Sequence, residues 1–355
     1  MSSEFDVVVI GSGPAGEKAA MQAAKLRHRV AVIERPGRLG GNCLHTATIP
    51  SKTLRETILY IAGVKQRSLY GIQTTLRKDL SVDDLMRRKE AVIGGQLEAW
   101  TVLGALAREM SRIRIGILVT CNSYRSPALV AKMAATVDVL SGGRLVHGIG
   151  SGWYQSEYEG YGYDFPPVGV RLAQLDEALR VQKLLWSEER ASFAGRYYRL
   201  SEACCLPKPV QRPHPPILIG GGGERVLLRL VARHADVWNH GGDVAELEHK
   251  LGVLCRHCAA EGRDYEAVEK SWFGNVIVDP DPARAQARLE RAATAWGMTP
   301  AQMESRALVG TPERVVERVR EYVAVGVTHF IGLFGRVEDL RGTRLFAEQV
   351  LPAFR

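Results

Sequence analysis

The chain has 355 residues, of which 46% are apolar and 24% charged, and it carries a formal net charge of +8. That balance is globular; it excludes long disorder, a coiled coil and a fibrous protein, and the length allows one large α/β domain or two smaller ones. No apolar run approaches the roughly 20 residues that cross a bilayer, and Glu4 and Asp6 interrupt any signal-peptide pattern, so a cytoplasmic protein with no membrane partner is expected.

Lysines and arginines are interspersed with Asp and Glu along helical stretches. This is the pattern of solvated helix faces, so no nucleic-acid partner is expected. The six cysteines should be reduced thiols. Cys255 and Cys258 form one C-x-x-C inside the amphipathic pattern of residues 251–260, and no second pair has zinc spacing, so no metal site is expected.

From the N-terminus, residues 5–10 form a short apolar strand pattern ending in Gly11-Ser12-Gly13-Pro14-Ala15-Gly16. An Ala-rich helical stretch, 17–26, follows, then a second strand, 29–33, ending in Glu34. Strand, glycine turn, helix, strand and acid is the context that makes G-x-G-x-x-G informative. Gly11 permits the tight turn, Gly13 admits a pyrophosphate to the backbone, and Gly16 allows close helix–strand packing. The helix start offers free N–H groups to phosphates, and Glu34 is placed to accept from a ribose diol.

The next motif is Leu39-Gly40-Gly41-Asn42-Cys43-Leu44-His45-Thr46-Ala47-Thr48-Ile49-Pro50-Ser51-Lys52. With it, residues 5–95 resemble the FAD domain of the pyridine nucleotide-disulfide oxidoreductases, within them the soluble transhydrogenase branch. The resemblance implies FAD at the N-terminal segment, with Cys43 and Lys52 joining Gly11, Gly13, Gly16 and Glu34 in holding it. Thr48 stands where most of that family has a second redox cysteine, so disulfide reductase chemistry is excluded. No second G-x-G-x-x-G follows a strand, which leaves a hydride donor without an NAD domain to dock on and argues against transhydrogenase activity.

From Leu97 the register changes. A helix is expected over 99–110, a strand over 112–120, a helix over 127–140 and a strand over 145–150. Later strands are expected over 216–219, 235–239, 271–278 and 328–333, and helices over 172–185, 225–233, 245–261, 282–295 and 312–325. Strands alternating with helices predict a parallel sheet, and a barrel places function at strand carboxyl ends. Polar and glycine-rich clusters fall there: 120–125, 148–154 with Glu157 and Tyr158, and Gly220-Gly221-Gly222-Gly223-Glu224-Arg225. The last is read as a phosphate seat of four converging N–H groups at a helix start. His147 and His329 fall within strand patterns and are read as core residues.

Residues 98–355 resemble the luciferase-like monooxygenase superfamily, in particular its deazaflavin-dependent oxidoreductases. The matching stretches are 112–128, 133–153, Arg196-Tyr197-Tyr198, 206–213 and 216–224. The resemblance implies a β/α barrel that binds F420 or FMN and acts on a small-molecule substrate. The ring would lie near Asn122, Gly150 and Trp153, and the phosphate at Gly220, Gly221, Gly222 and Gly223, with Tyr158 as a partner. Only six barrel strands can be counted after Arg112. The missing strand pair is where the superfamily brings an Asp-His element, so the catalytic residues are unknown.

The expected fold is thus α/β: a partial Rossmann-like FAD-binding βαβ unit over 1–96, then an incomplete (β/α)8 TIM-type barrel over 97–355 that lacks its first two strands. Two bodies are favoured over a hybrid barrel completed by the N-terminal unit. The expected function is a flavin- or deazaflavin-dependent oxidoreductase, with a homodimer compatible. The alternatives are an FAD-dependent transhydrogenase-like enzyme and a non-catalytic fusion that retains only cofactor-binding motifs.

Overall fold

The computed structural model describes residues 7–10, 30–33, 99–335 and 340–354. The chain divides into two compact units, Met1–Val102 and Leu103–Arg355. In the first, strands β1 (Val7–Ile10) and β2 (Val30–Ile33) pair in parallel, with Val7 opposite Val30 and Ile10 opposite Ile33. A parallel pair needs a crossover rather than a hairpin, as the βαβ reading requires. The glycine turn, the helix over 17–26, and Gly11, Gly13, Gly16, Glu34, Cys43 and Lys52 lie outside the described residues.

After α1 (Ala99–Glu109), the second unit builds a curled, all-parallel sheet. The expected strand over 112–120 is two short pieces, β3 (Ile115–Gly116) and β4 (Thr120–Cys121), both paired with β5. The residues between them leave the ladder, and Leu118 and Val119 instead line a cleft described below. Helix α2 (Pro127–Ser141) precedes β5 (Leu145–Gly150). Then come α3 (Gln155–Gly160), α4 (Val168–Ser187) and an antiparallel hairpin, β6 (Ala191–Ala194) with β7 (Arg199–Ala203). The chain continues through β8 (Ile217–Gly220), α5 (Leu227–His234), β9 (Val237–His240) and α6 (Val244–Ala260). It ends with β10 (Glu269–Val278), α7 (Pro282–Trp296), α8 (Pro300–Ser305), β11 (Leu308–Gly310), α9 (Pro312–Ala324), β12 (His329–Leu333) and α10 (Arg341–Leu345).

Neighbours in the sheet run β4, β5, β8, β9, β10, β12, all parallel, and β11 pairs the carboxyl end of β10. With β3 and β4 counted as one interrupted strand, these are the six expected barrel positions, a partial TIM-type barrel. Strand β8 is apolar on both faces, as a parallel strand buried on both sides must be: Ile217 and Ile219 are buried on one face and Leu218 on the other.

Small residues on α2, Ala131, Ala134 and Ala135, let α4 approach, where Leu175, Ala178, Leu179 and Trp186 are buried. The Trp186 indole N–H donates to the Ala131 carbonyl at 2.9 Å, which locks the pair. Asp138 is fully buried yet satisfied: its carboxylate accepts from the backbone N–H groups of Val210 and Gln211 and from Gln211 Nε2. It thereby ties the proline-rich 206–213 segment to α2.

Several expectations are corrected. The helix after the glycine run begins at Leu227, so Gly220–Gly223 do not open it directly. The β6–β7 hairpin was not foreseen; its mostly exposed strands carry no clear apolar alternation. Helix α8 was missed although its signature was readable: Thr299 and Gln302 form a reciprocal capping box. His147 is a core residue as expected, bonded to Gln182 at 3.1 Å. His329 is only half-buried on β12 and lies 3.4 Å from Glu269.

Candidate cofactor cleft

A cleft of about 390 Å³ opens at the carboxyl ends of β4, β5 and β8. Its floor is backbone: Gly150, the last residue of β5, with Ser151 and Gly152 after it, and Gly220, the last residue of β8, with Gly221 after it. Cys121, Tyr124 and Glu157 form one side, and Trp153 and Tyr154 the rim. Trp153 is 82% exposed and meets Tyr154 at 5.3 Å between ring centroids. An exposed indole on the rim of a glycine floor is a platform for a flat ring.

Gly152 shapes this floor. It takes φ +76°, and a Cβ there would fall 2.0 Å from the Tyr158 hydroxyl and 2.7 Å from Cys121 Sγ. Its carbonyl accepts from Arg171, which is buried on the first turn of α4 and stacks on Phe165 at 4.2 Å. The Tyr158 hydroxyl lies 2.9 Å from Ser123 Oγ, 3.2 Å from Cys121 Sγ and 3.3 Å from the Ser151 carbonyl. Burial, and next the Cys121 bond, push its pKa up to about 12, so the phenol stays protonated at neutral pH. Tyr124 donates to Glu157 at 2.8 Å; burial first, then that bond, hold the Tyr124 pKa above its ordinary value. The cleft thus presents a carboxylate already engaged by a phenol.

Of the residues expected in the barrel site, the cleft brings together Gly150, Trp153, Gly220 and Gly221. Asn122 and Tyr158 stand behind its wall: the Asn122 amide donates to Tyr198 at 3.1 Å, and Tyr158 reaches the cleft through Cys121 and Ser151. Tyr198 is placed by Glu177, whose carboxylate accepts three successive N–H groups from Arg196, Tyr197 and Tyr198. Burial alone would raise the Glu177 pKa, but those bonds bring it below the ordinary carboxylate value.

Gly222 and Gly223 lie outside the lining, and the picture of four free N–H groups is corrected. The Gly221 N–H donates to the Asn239 carbonyl of β9 at 2.9 Å, while its own carbonyl accepts from the buried Trp238 indole at 2.8 Å. The Gly222 carbonyl accepts from Lys250. The glycine run is therefore fastened to β9 and α6, which places its turn and occupies one of the amides assigned to phosphate, that of Gly221.

One neighbouring residue was missed by sequence reasoning. His240 ends β9 against Gly222, stacks on Trp238 at 5.8 Å and bonds Glu246 at 2.9 Å; Glu246 in turn receives Arg306. Burial lowers the His240 pKa although Glu246 pulls it up. A histidine at a strand's carboxyl end, followed by Gly241-Gly242, was the available signal. Among the described residues no cluster has metal-ligand geometry.

Residues 87–302 match the luciferase-like monooxygenase family. The chain belongs to that family. Residues 5–114 match the pyridine nucleotide-disulphide oxidoreductase family. The soluble pyridine nucleotide transhydrogenase of Mycobacterium tuberculosis is 42% identical over 124 residues, 35% of this chain but 25% of the relative, so the chain spans about a quarter of that protein's length. The FMNH(2)-dependent dimethylsulfone monooxygenase of Pseudomonas putida is 26% identical over 291 residues, 73% of this chain and 79% of the relative. Among solved structures, an F420-dependent secondary alcohol dehydrogenase superposes with a TM-score of 0.65 at 23% identity, covering 73% of this chain and 84% of that one. At that identity the likeness shows the barrel fold. No helix among the described residues is long and apolar enough to cross a membrane.

Proposed function

We propose that the luciferase-like unit is an oxidoreductase that binds a flavin or the deazaflavin F420 and acts on a small-molecule substrate. The observation that carries this reading is the cleft itself: a backbone floor at three adjacent strand ends, with an exposed Trp153 at its rim. The fit is one of shape. Gly150, Gly220 and Gly221 carry no side chain that would bar a flat ring, and the rings of Trp153 and Tyr154 supply an apolar face.

A deazaflavin, when bound, supplies hydride transfer, and FMN supplies hydride transfer or oxygen chemistry. The protein contributes position and proton control. Protonated Tyr158 braces Cys121 and the 151–152 turn, and the Tyr124–Glu157 bond sets a proton donor and an acceptor at the cleft wall. His240, held by Glu246, is a neutral imidazole near neutral pH. Relatives that use F420 and FMN support both cofactors, since a glycine floor that admits one flat ring admits the other.

For the N-terminal unit, the 42% identity over 124 residues supports FAD at the turn of Gly11, Gly13 and Gly16, with Glu34 on the ribose. A cytoplasmic location and a homodimer remain part of this proposal.

Titration of the purified chain with F420, FMN and FAD, read by absorbance and fluorescence, tests both sites. Binding of F420 or FMN that is lost in Gly221→Val establishes the barrel cleft. FAD binding lost in Gly13→Val, with neither of the others binding, moves the cofactor to the N-terminal unit. Failure of all three to bind overturns the oxidoreductase reading and leaves a fusion that keeps only the motifs.

A further inference from the structure

Among the described residues that line the glycine-floored cleft, Glu157 is the one that carries charge. A second cleft, of about 530 Å³ where β10 ends, has the opposite character, with Arg284, Arg288, Arg291 and Arg341 set around Asp279. The whole chain carries +8, so its general field repels cations. An electronegative cleft is a local feature that works against that field.

The carboxylate is held from one side. Tyr124 donates to Glu157 Oε2 at 2.8 Å. The Tyr124 ring is itself fixed: Tyr163 stacks on it at 4.9 Å and donates its hydroxyl hydrogen to the Tyr124 carbonyl at 3.0 Å, and Tyr158 meets it edge-on at 4.9 Å. Burial holds Tyr124 in its protonated form, so this bond leaves the negative charge on Glu157. Glu157 Oε1 has no hydrogen bond or ion pair among the described residues.

Aromatic rings stand beside that oxygen's helix turn. Tyr154 caps α3 and Glu157 lies three residues on, a spacing that makes them neighbours on the helix surface. The Glu157 N–H donates to the Tyr154 carbonyl at 3.1 Å. The Tyr154 side chain makes no capping bond and is exposed, backed by Trp153 at 5.3 Å with 44° between the rings. A glutamate in the first turn favours a helix by itself, but helix stability does not call for two exposed rings next to it. Contiguous exposed rings mark a recognition surface. A ring face attracts a cation placed within about 6 Å of its centroid, and a carboxylate alongside pulls in the same direction.

We propose that this cleft takes as substrate a small organic cation, an amine protonated or methylated at nitrogen, with its ammonium group held between Glu157 Oε1 and the face of Tyr154. This rests on the reading of the cleft as a substrate-bearing site and adds the substrate class to it. The glycine floor and Trp153 are left to the cofactor ring, while the cation takes the wall.

The test is calorimetric titration of the cofactor-free full chain with choline and with the uncharged alcohol in which carbon replaces its nitrogen. Choline should bind at one site, at least about tenfold more tightly than that alcohol, and more weakly as sodium chloride is raised. Glu157→Gln, which keeps an oxygen for Tyr124 to bond, should weaken choline about tenfold. Tyr154→Leu should weaken it about threefold, and Tyr154→Phe should retain it. Both side chains are exposed, so all three variants should keep the parent circular dichroism. Equal affinity for choline and the alcohol overturns the proposal, as does choline binding that Glu157→Gln and Tyr154→Leu both leave intact. Titrating the same preparations with F420 and FMN separates this from the cofactor reading. A cofactor that binds where choline does not overturns the cation proposal alone; choline binding without any cofactor removes the oxidoreductase reading and leaves the cation site standing.

Discussion

The two clefts of the barrel unit sit at strand carboxyl ends and are built from opposite materials. The one at β4, β5 and β8 has a floor of glycine backbone and a rim of Trp153 and Tyr154; its one carboxylate, Glu157, is held by Tyr124. The one at β10 has four arginines and one aspartate. A surface without side chains admits a flat ring by shape, whereas a surface of long cationic side chains selects by charge and responds to salt. Local rigidity differs in the same direction. The first floor is fastened from behind by the Trp238 indole, Arg171 and Tyr158, while Arg291 has no hydrogen-bond partner among the described residues.

The sharpest way to break this contrast is Gly152→Val. A Cβ there collides with Tyr158 and Cys121 at a backbone angle that valine does not adopt, so a loss of roughly 2–4 kcal/mol in unfolding free energy is expected. Urea unfolding reads the stability. Cofactor titration should show the first cleft abolished.

The second effect is acid sensitivity. His147 lies under the first cleft on β5, and burial lowers its pKa from 6.5 to about 4. The unfolded chain therefore binds the proton more readily, so stability contributed by neutral His147 is present above about pH 6.5 and is lost as pH falls toward 4. The linkage amounts to about 3 kcal/mol at its fullest. Urea midpoints at pH 7.5 and 4.5 should converge in His147→Gln relative to the parent; an equal drop in both proteins would assign the acid loss elsewhere.

A smaller effect is expected at the rim. Trp153→Ala removes an exposed ring, so the melting temperature should hardly move, while affinity for F420 or FMN should fall about tenfold if the indole is the platform. Unchanged affinity would remove Trp153 from the site. The smallest effect belongs to the C-x-x-C. Cys255 is exposed on α6 and Cys258 is buried there, so Cys255→Ser should stay within about 0.5 kcal/mol of the parent, and added zinc should change neither cleft.

The sequence carried the alternation of elements because periodicity is local. The 3.6-residue spacing of α2, α4 and α9 and the apolar runs of β5, β8 and β10 can be read without knowing what they pack against. The six barrel positions, the parallel pairing of β1 with β2, and the helical place of Cys255 and Cys258 all follow from such spacing. The capping box of α8 was equally local and could have been read.

Where polar groups send their hydrogen bonds is not local, and only the tertiary structure decided it. The Gly221 amide looked available for phosphate until β9 took it. Asn122 looked like a ring contact until the hairpin, held by Glu177, delivered Tyr198 to its amide. His240 met Gly222, and the arginines of α7 met Arg341, across stretches of chain whose separation carries no sequence signal. The physical reason is that burial makes each donor find an acceptor, and the acceptor it finds depends on which distant segment the closed sheet sets beside it.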